Sequence, residues 1–175
     1  MDRFLAGVER RAFRMAQLAV RNRDDALDIV QEAMAVLVQR YREREASEWG
    51  PLFYRILQSR VADWHRRQWV RTRWRTWFAG SQDDDLSSRE ESWEQLPDVG
   101  MPDPSEALAQ RRAAAAIECA LRELPLRQRQ AFLLRAWEGY DVARTAQAMG
   151  CSEGSVKTHY SRAVQALRKR LADHV

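Results

Sequence analysis

The chain has 175 residues, 45% of them hydrophobic and 31% charged, with a formal net charge of +4; this is the balance of a globular protein with a buried core. No run of about 18 apolar residues occurs, and MDRFLAGVERRAFR at the start carries charge throughout. Both features exclude a membrane-spanning helix and a secretory leader, and predict a cytoplasmic protein without direct membrane insertion. Cys119 and Cys151 are the only cysteines and lie far apart, and His65, His159 and His174 are scattered. Neither a disulfide framework nor a metal site has anything to build from, so the cysteines are expected to pack and the histidines to lie on helix surfaces. Gly is scarce, at 7 residues, and GxGxxG, P-loop, GxSxG and HExxH motifs are absent, so no catalytic residue, cofactor or metal is expected.

Charge is segmented. Residues 1–80 carry 16 basic and 10 acidic side chains, 81–106 carry 1 and 9, and 107–175 carry 12 and 6. Two basic bodies flanking an acidic connector suit a polyanion held at both ends, although two solvated helical domains and a linker would look the same by charge alone.

In chain order, Phe4, Val8, Ala12, Met15 and Ala19 share one face of a helix predicted from about Arg3 to Val20. RNRDDA interrupts it, and Asp24 is the expected N-cap of a second helix, Asp25 to about Tyr41, burying Leu27, Val30, Met34, Leu37 and Val38. REREASEWGP breaks the pattern again. Gly50-Pro51 is strong punctuation, and Pro51 suits the first turn of a third helix running to Trp77, apolar at Phe53, Ile56, Leu57, Val61 and Trp64. Residues 81–106, SQDDDLSSREESWEQLPDVGMPDPSE, collect Asp, Ser, Pro and Gly without apolar periodicity and read as a linker. The Asp83-Asp84-Asp85 run reads as solvated linker, because consecutive side chains diverge.

Beyond the linker, PSEALAQRRAAAAIECALREL favours helix, with Ser105 as N-cap and Pro125 as a stop that also opens PLRQRQAFLLRAW, which Gly139 ends. A short helix VARTAQAM follows. Gly150 is then available for a left-handed turn position and Ser152 for the N-cap of a last helix, whose Val156, Tyr160, Ala163, Val164, Leu167 and Leu171 fall on one face. Two helices joined by a tight Gly-containing turn form a helix-turn-helix. The fold class predicted is therefore all-α: two small helical domains, 1–80 and 107–175, joined by an acidic flexible linker.

Two stretches carry nucleic-acid chemistry. In a helix-turn-helix the second helix presents its front to base edges while nearby charges hold phosphates. Here the non-apolar face offers Glu153, Ser155, Lys157, Thr158, Ser161, Arg162, Arg168 and Lys169. Separately, RRQWVRTRWRTWF interleaves Arg with Trp, the composition of a single-strand platform. Trp69, Trp74 and Trp77 individually fit core anchors with arginines extended over them, whereas the cluster as a whole fits nucleic-acid contact.

The chain resembles a bacterial RNA polymerase sigma factor of the small, two-domain extracytoplasmic-function (ECF) subfamily. DDALDIVQEAMAVLVQRY and LFYRILQSRVADWHRRQ resemble its region two, and LRELPLRQRQAFLLRAWEGYDVARTAQAMGCSEGSVKTHYSRAVQALRKRL resembles region four almost end to end. The resemblance implies that Asp25, Asp28, Gln31 and Glu32 dock on the clamp of the polymerase largest subunit, and that the flap is a further contact. It also implies that the loop Arg42 to Gly50, with Arg44 and Trp49, and the start of the next helix capture a base flipped from the downstream, minus-ten element. Ile56 and Ser59 occupy matching helix positions, while Arg66 and Arg67 match residues that track the melted strand. For the upstream, minus-thirty-five duplex, it implies Ser155, Lys157, Thr158, Ser161 and Arg162, with Arg135 as a phosphate contact.

Departures from the family pattern are local. Ser59 stands where Asn is common, and the loop before it is about a residue shorter. In EGYDVARTA, Asp141 replaces the usual Ser as N-cap, Arg144 replaces Glu and adds an expected phosphate contact, and Thr145 replaces Ile and is expected to weaken packing. The implied function is promoter-specific initiation with core polymerase, without nucleotide hydrolysis by this chain, and with an anti-sigma factor as a further partner. The acidic linker would then lie in a basic polymerase channel. A self-contained DNA-binding regulator that dimerises through its N-terminal half is the rival, and a nucleic-acid hydrolase a distant third.

Overall fold

The structure is a computed structural model that describes residues 1–78 and 104–172, apart from the side chains of residues 72, 74–78, 104–107 and 109. The described residues form seven helices and no strand: α1 (Asp2–Val20), α2 (Arg23–Tyr41), α3 (Ala46–Phe78), α4 (Pro104–Arg122), α5 (Leu126–Phe132, continued by a π-helical turn over Leu133–Trp137), α6 (Val142–Met149) and α7 (Glu153–Leu171). The architecture is all-α in two helical regions, α1–α3 and α4–α7, as the sequence predicts. Residues 81–103 of the predicted linker, Asp83-Asp84-Asp85 among them, and His174 lie outside the described residues.

Several helix ends differ from expectation. The cap of α2 is Asn22, not Asp24: Asn22 is extended, and its side-chain oxygen accepts the Asp25 N–H at 2.9 Å. Asp24 instead lies in the first turn, where its charge meets the positive end of the helix dipole. Helix α3 begins at Ala46, so Gly50-Pro51 is inside the helix and the predicted loop shrinks to residues 42–45. Pro51 forgoes only one backbone bond near the helix start, and its neighbours Gly50, Phe53 and Tyr54 are all buried. Helix α4 opens on Pro104, one residue before the predicted cap Ser105, a position where the missing N–H costs nothing.

The helix-turn-helix forms as read. Asp141 caps α6 by accepting the Arg144 N–H at 2.7 Å, Gly150 turns the chain at φ +60°, and Ser152 caps α7 by accepting the Ser155 N–H at 3.2 Å. Thr145 corrects the expectation of weakened packing. It is fully buried, and its hydroxyl donates to the Asp141 carbonyl at 2.7 Å, so the polar atom is satisfied where Ile would have filled the same space. Cys119 is exposed rather than packed, since on α4 it falls between the buried Glu118 and Ala120; Cys151 packs against the core.

The two regions share their cores. One apolar cluster joins Val8, Ala12, Leu37, Phe53, Tyr54 and Leu57 to Leu134, Tyr140, Ala146, Met149 and Val156. A second places Leu18 of α1 among Leu121, Leu124, Leu133, Ala163 and Leu167. Leu27, expected in the core, is 37% exposed because Ala26, Ile29, Val30 and Ala33 form the inward face of α2 instead.

Leu134 is completely buried. Leu134→Ala is expected to cost about 3 kcal/mol of stability and Ser152→Ala about 1 kcal/mol, both read as lower urea midpoints.

Candidate nucleic-acid interface

The front of α7 is held by its own turn. Arg127 of α5 donates to the Met149 carbonyl at 3.0 Å, fixing the end of α6 and hence the angle at which α7 departs. Lys157, Thr158, Ser161 and Arg162 are all exposed along the outer side of α7. The Thr158 hydroxyl donates back to the Gly154 carbonyl at 3.0 Å, while the half-buried Ser155 shares its hydroxyl with Ser152 at 2.9 Å. Lys157 and Arg162 are therefore the charged groups of this face with long, free reach for phosphate or guanine.

Two arginines predicted on the same surface are placed differently. Arg135 is half-buried: its guanidinium donates to the Tyr140 carbonyl at 2.6 Å and lies over the Tyr160 ring at 5.6 Å. The π-helical turn makes that bond, since it lets the chain fold back so that the Tyr140 N–H reaches the Leu134 carbonyl at 3.0 Å. Arg144 lies over the Tyr140 ring at 4.6 Å, facing α3 rather than continuing the α7 face. Burial pushes the Tyr140 hydroxyl up to about 12, with Arg144 opposing the rise.

On the N-terminal side, Asp28, Gln31 and Glu32 are exposed on α2, with Asp25 half-buried. The exposed Leu27 lies among them, an apolar spot on a polar face. Glu32 is paired with Arg60 of α3 at 3.6 Å. The predicted strand-capture residues divide. Arg44, Ser59, Arg66 and Arg67 are exposed, Ile56 is half-buried, and Trp49 packs half-buried against Phe4 with ring centroids 5.9 Å apart. Arg66 is paired with Asp63. Trp69 is not a core anchor: it is 59% exposed, with Arg73 over its ring at 4.7 Å. The side chains of Trp74 and Trp77 lie outside the described residues.

A groove of about 600 Å³ runs between the regions, lined by Ser47, Glu48, Pro51, Leu52 and Arg55 on α3 and by Arg144 and Gln147 on α6. Arg55 was missed by the sequence reading. The signal was its position four residues before Ser59, which puts both on one exposed helical face.

Residues 114–167 match the family described as Sigma-70, region 4. The RNA polymerase sigma-E factor of Streptomyces antibioticus is 34% identical over 148 residues, covering 84% of this chain and 71% of that protein. The corresponding factor of Streptomyces avermitilis is 34% identical over 159 residues, covering 90% and 77%. This chain belongs to the ECF RNA polymerase sigma factors. The ECF sigma factor SigX of Bacillus subtilis is 28% identical over 154 residues, covering 87% and 73%. The co-crystal structure of the sigma factor RpoE with the anti-sigma factor NepR from Bartonella quintana shares the fold, with a TM-score of 0.67, 21% identity and coverage of 98% of this chain and 96% of that one. As a sigma factor the chain is non-enzymatic, binds RNA polymerase and directs transcription initiation, which removes the free-standing regulator and hydrolase readings. Among the described residues no helix is long and apolar enough to cross a membrane.

Because Arg135 holds a backbone carbonyl, Arg135→Ala is expected to lower the stability of this sigma factor by about 1 kcal/mol in urea unfolding, apart from any effect on DNA.

Proposed function

We propose that this sigma factor grips its promoter at two points, reading the upstream element as duplex through α7 and trapping the downstream element as melted strand along α3. The observation that carries the first half is the solvent-facing row Lys157, Thr158, Ser161 and Arg162 behind a correctly capped turn. Ser155 contributes its backbone at the front, and Arg135 and Arg144 reach phosphates only once the side chains leave their present partners. For the second half, Arg55, Ser59, Arg66 and Arg67 form an exposed, mostly basic flank of α3 that leads to the Trp69 platform, with Ile56 beside it and Arg44 and Trp49 at its near end. Arginine and aromatic faces together suit an unpaired strand, and a flipped base requires a polar contact in compensation.

Residues 1–80 act in this reading as the region-two unit, 81–106 as a connector repelled from DNA by its acidic charge, and 107–175 as the region-four unit. The acidic face of α2, Asp25, Asp28, Gln31 and Glu32 around Leu27, takes the clamp of the polymerase largest subunit: a small apolar centre ringed by carboxylates recognises a basic surface with an apolar spot. The flap is the further polymerase contact. An anti-sigma factor is the expected antagonist, acting in the cytoplasm where transcription takes place; the complex of the structurally similar RpoE with NepR supports that partner class.

Run-off transcription with purified core polymerase tests the docking face. Wild type is expected to yield promoter-specific transcripts, and Asp28→Arg to reduce them about tenfold or more, as reversing a charge in a complementary interface costs more than about 1.4 kcal/mol. Wild-type transcripts no different from those of core alone would refute the reading. For the upstream contact, Lys157→Ala is expected to weaken promoter-duplex binding and flatten its logarithmic salt dependence by about one, the loss of a single phosphate neutralised. An unchanged slope would remove Lys157 from the phosphate contacts.

A further inference from the structure

Within region four, α5 holds the helix-turn-helix at two places. Near the middle of α7, Tyr160 stacks on Phe132 with ring centroids 6.1 Å apart and planes 16° from parallel. At the turn, Arg127 in the first turn of α5 donates to the Met149 carbonyl at 3.0 Å. Met149 is the last residue of α6, and Gly150 turns the chain immediately after it at φ +60°. Neighbouring carbonyls are satisfied inside the turn: Ala146 accepts the Cys151 N–H at 3.1 Å and Gln147 the Gly150 N–H at 3.3 Å. The Met149 carbonyl is instead taken by a side chain from another helix, and the guanidinium there meets the negative end of the α6 dipole.

The apolar contacts of the turn do not fix its direction. Val156 is fully buried and Met149 nearly so, but burial is non-directional, whereas a guanidinium bond to a carbonyl has a preferred line. With Tyr160 as pivot, the front of α7 lies about 10 Å away, and a tilt of about 10° moves it by roughly 2 Å, more than a hydrogen bond to a base edge tolerates. The bond lies wholly inside region four, apart from the seam where α3 meets α6. Arg127 is exposed, so the bond forms without burying a charge.

We propose that Arg127 is a positioning residue for promoter discrimination: its bond to Met149 sets the angle at which α7 meets the upstream duplex, and it sharpens sequence reading without touching DNA. The inference rests on the duplex reading of α7. Positioning and phosphate contact leave different marks. Loss of a phosphate contact weakens every duplex and lowers the logarithmic salt slope by about one, while loss of positioning weakens only the correct sequence.

The test uses holoenzyme assembled from core polymerase and the full chain. Its probes are a promoter duplex selected from a random pool by wild-type holoenzyme, and the same duplex with the base pairs around minus thirty-five scrambled. Arg127→Ala is expected to weaken binding of the selected duplex about tenfold, to leave the scrambled one within about twofold, and to leave the salt slope unchanged. Arg127→Lys, whose ammonium can still donate to the carbonyl, is expected to recover most of the lost discrimination. Equal weakening of both duplexes overturns the proposal: with a slope lowered by about one it makes Arg127 a phosphate contact, and with an unchanged slope a contributor to stability only. Undiminished affinity of Arg127→Ala for the selected duplex, or an Arg127→Lys form no better than Arg127→Ala, would overturn it as well. Wild-type holoenzyme that binds the two duplexes equally would instead locate the failure in the duplex reading beneath it.

Discussion

The close approach of α3 to Tyr140 is the constraint on which the arrangement depends. Gly50 permits it, because any side chain there would collide with the Tyr140 hydroxyl. That single absent Cβ lets Phe53, Tyr54 and Leu57 join Leu134, Ala146 and Met149 in one core. The π-helical turn contributes from the other side. By adding a residue to the turn before Gly139 it carries Tyr140 into the seam, and Arg135 holds the Tyr140 carbonyl to keep it there. A backbone irregularity and a missing side chain thus meet at one point, and the helix-turn-helix is oriented by both.

The same geometry sorts the charges by accessibility. Long side chains expected at DNA from the sequence are spent within the fold when they lie near the seam: Arg144 covers the Tyr140 ring and Arg135 bonds backbone. Those away from it, Lys157 and Arg162 on α7 and Arg67 on α3, remain in water. Charge that would steer the protein toward a polyanion therefore remains exposed in this arrangement.

Much of this was legible in the sequence. The caps Asp141 and Ser152, the left-handed Gly150 and the apolar stripe of α7 are local signals, settled by chemistry within a turn or two, and each is where periodicity places it. Expectations failed where distant residues decide. Pro51 marks a helix start by local rule, yet α3 begins five residues earlier because packing of Gly50, Phe53 and Tyr54 outweighs one missing backbone bond. Leu27 follows the apolar period of α2 but faces solvent, since the inward face of that helix is set by small residues, Ala26 and Ala33, that bring α1 and α3 close. The pairing of Arg11 with Glu138, residues far apart in the sequence, has no periodic signature. Arg55 shares the exposed face of Ser59 by its spacing, but its place at the seam depends on how two regions dock.

The two-point grip makes one demand of this packing: the regions must separate when core polymerase takes the chain. The most direct measurement is the distance between spin labels at Gln39→Cys on α2 and Gln165→Cys on α7, both exposed positions, in a chain carrying Cys119→Ser and Cys151→Ala. In the free protein a single short separation is expected, matching regions that share a core; on adding core polymerase the distribution should move to a distinctly longer one. A separation that stays short in a complex competent to initiate transcripts would contradict the two-point grip.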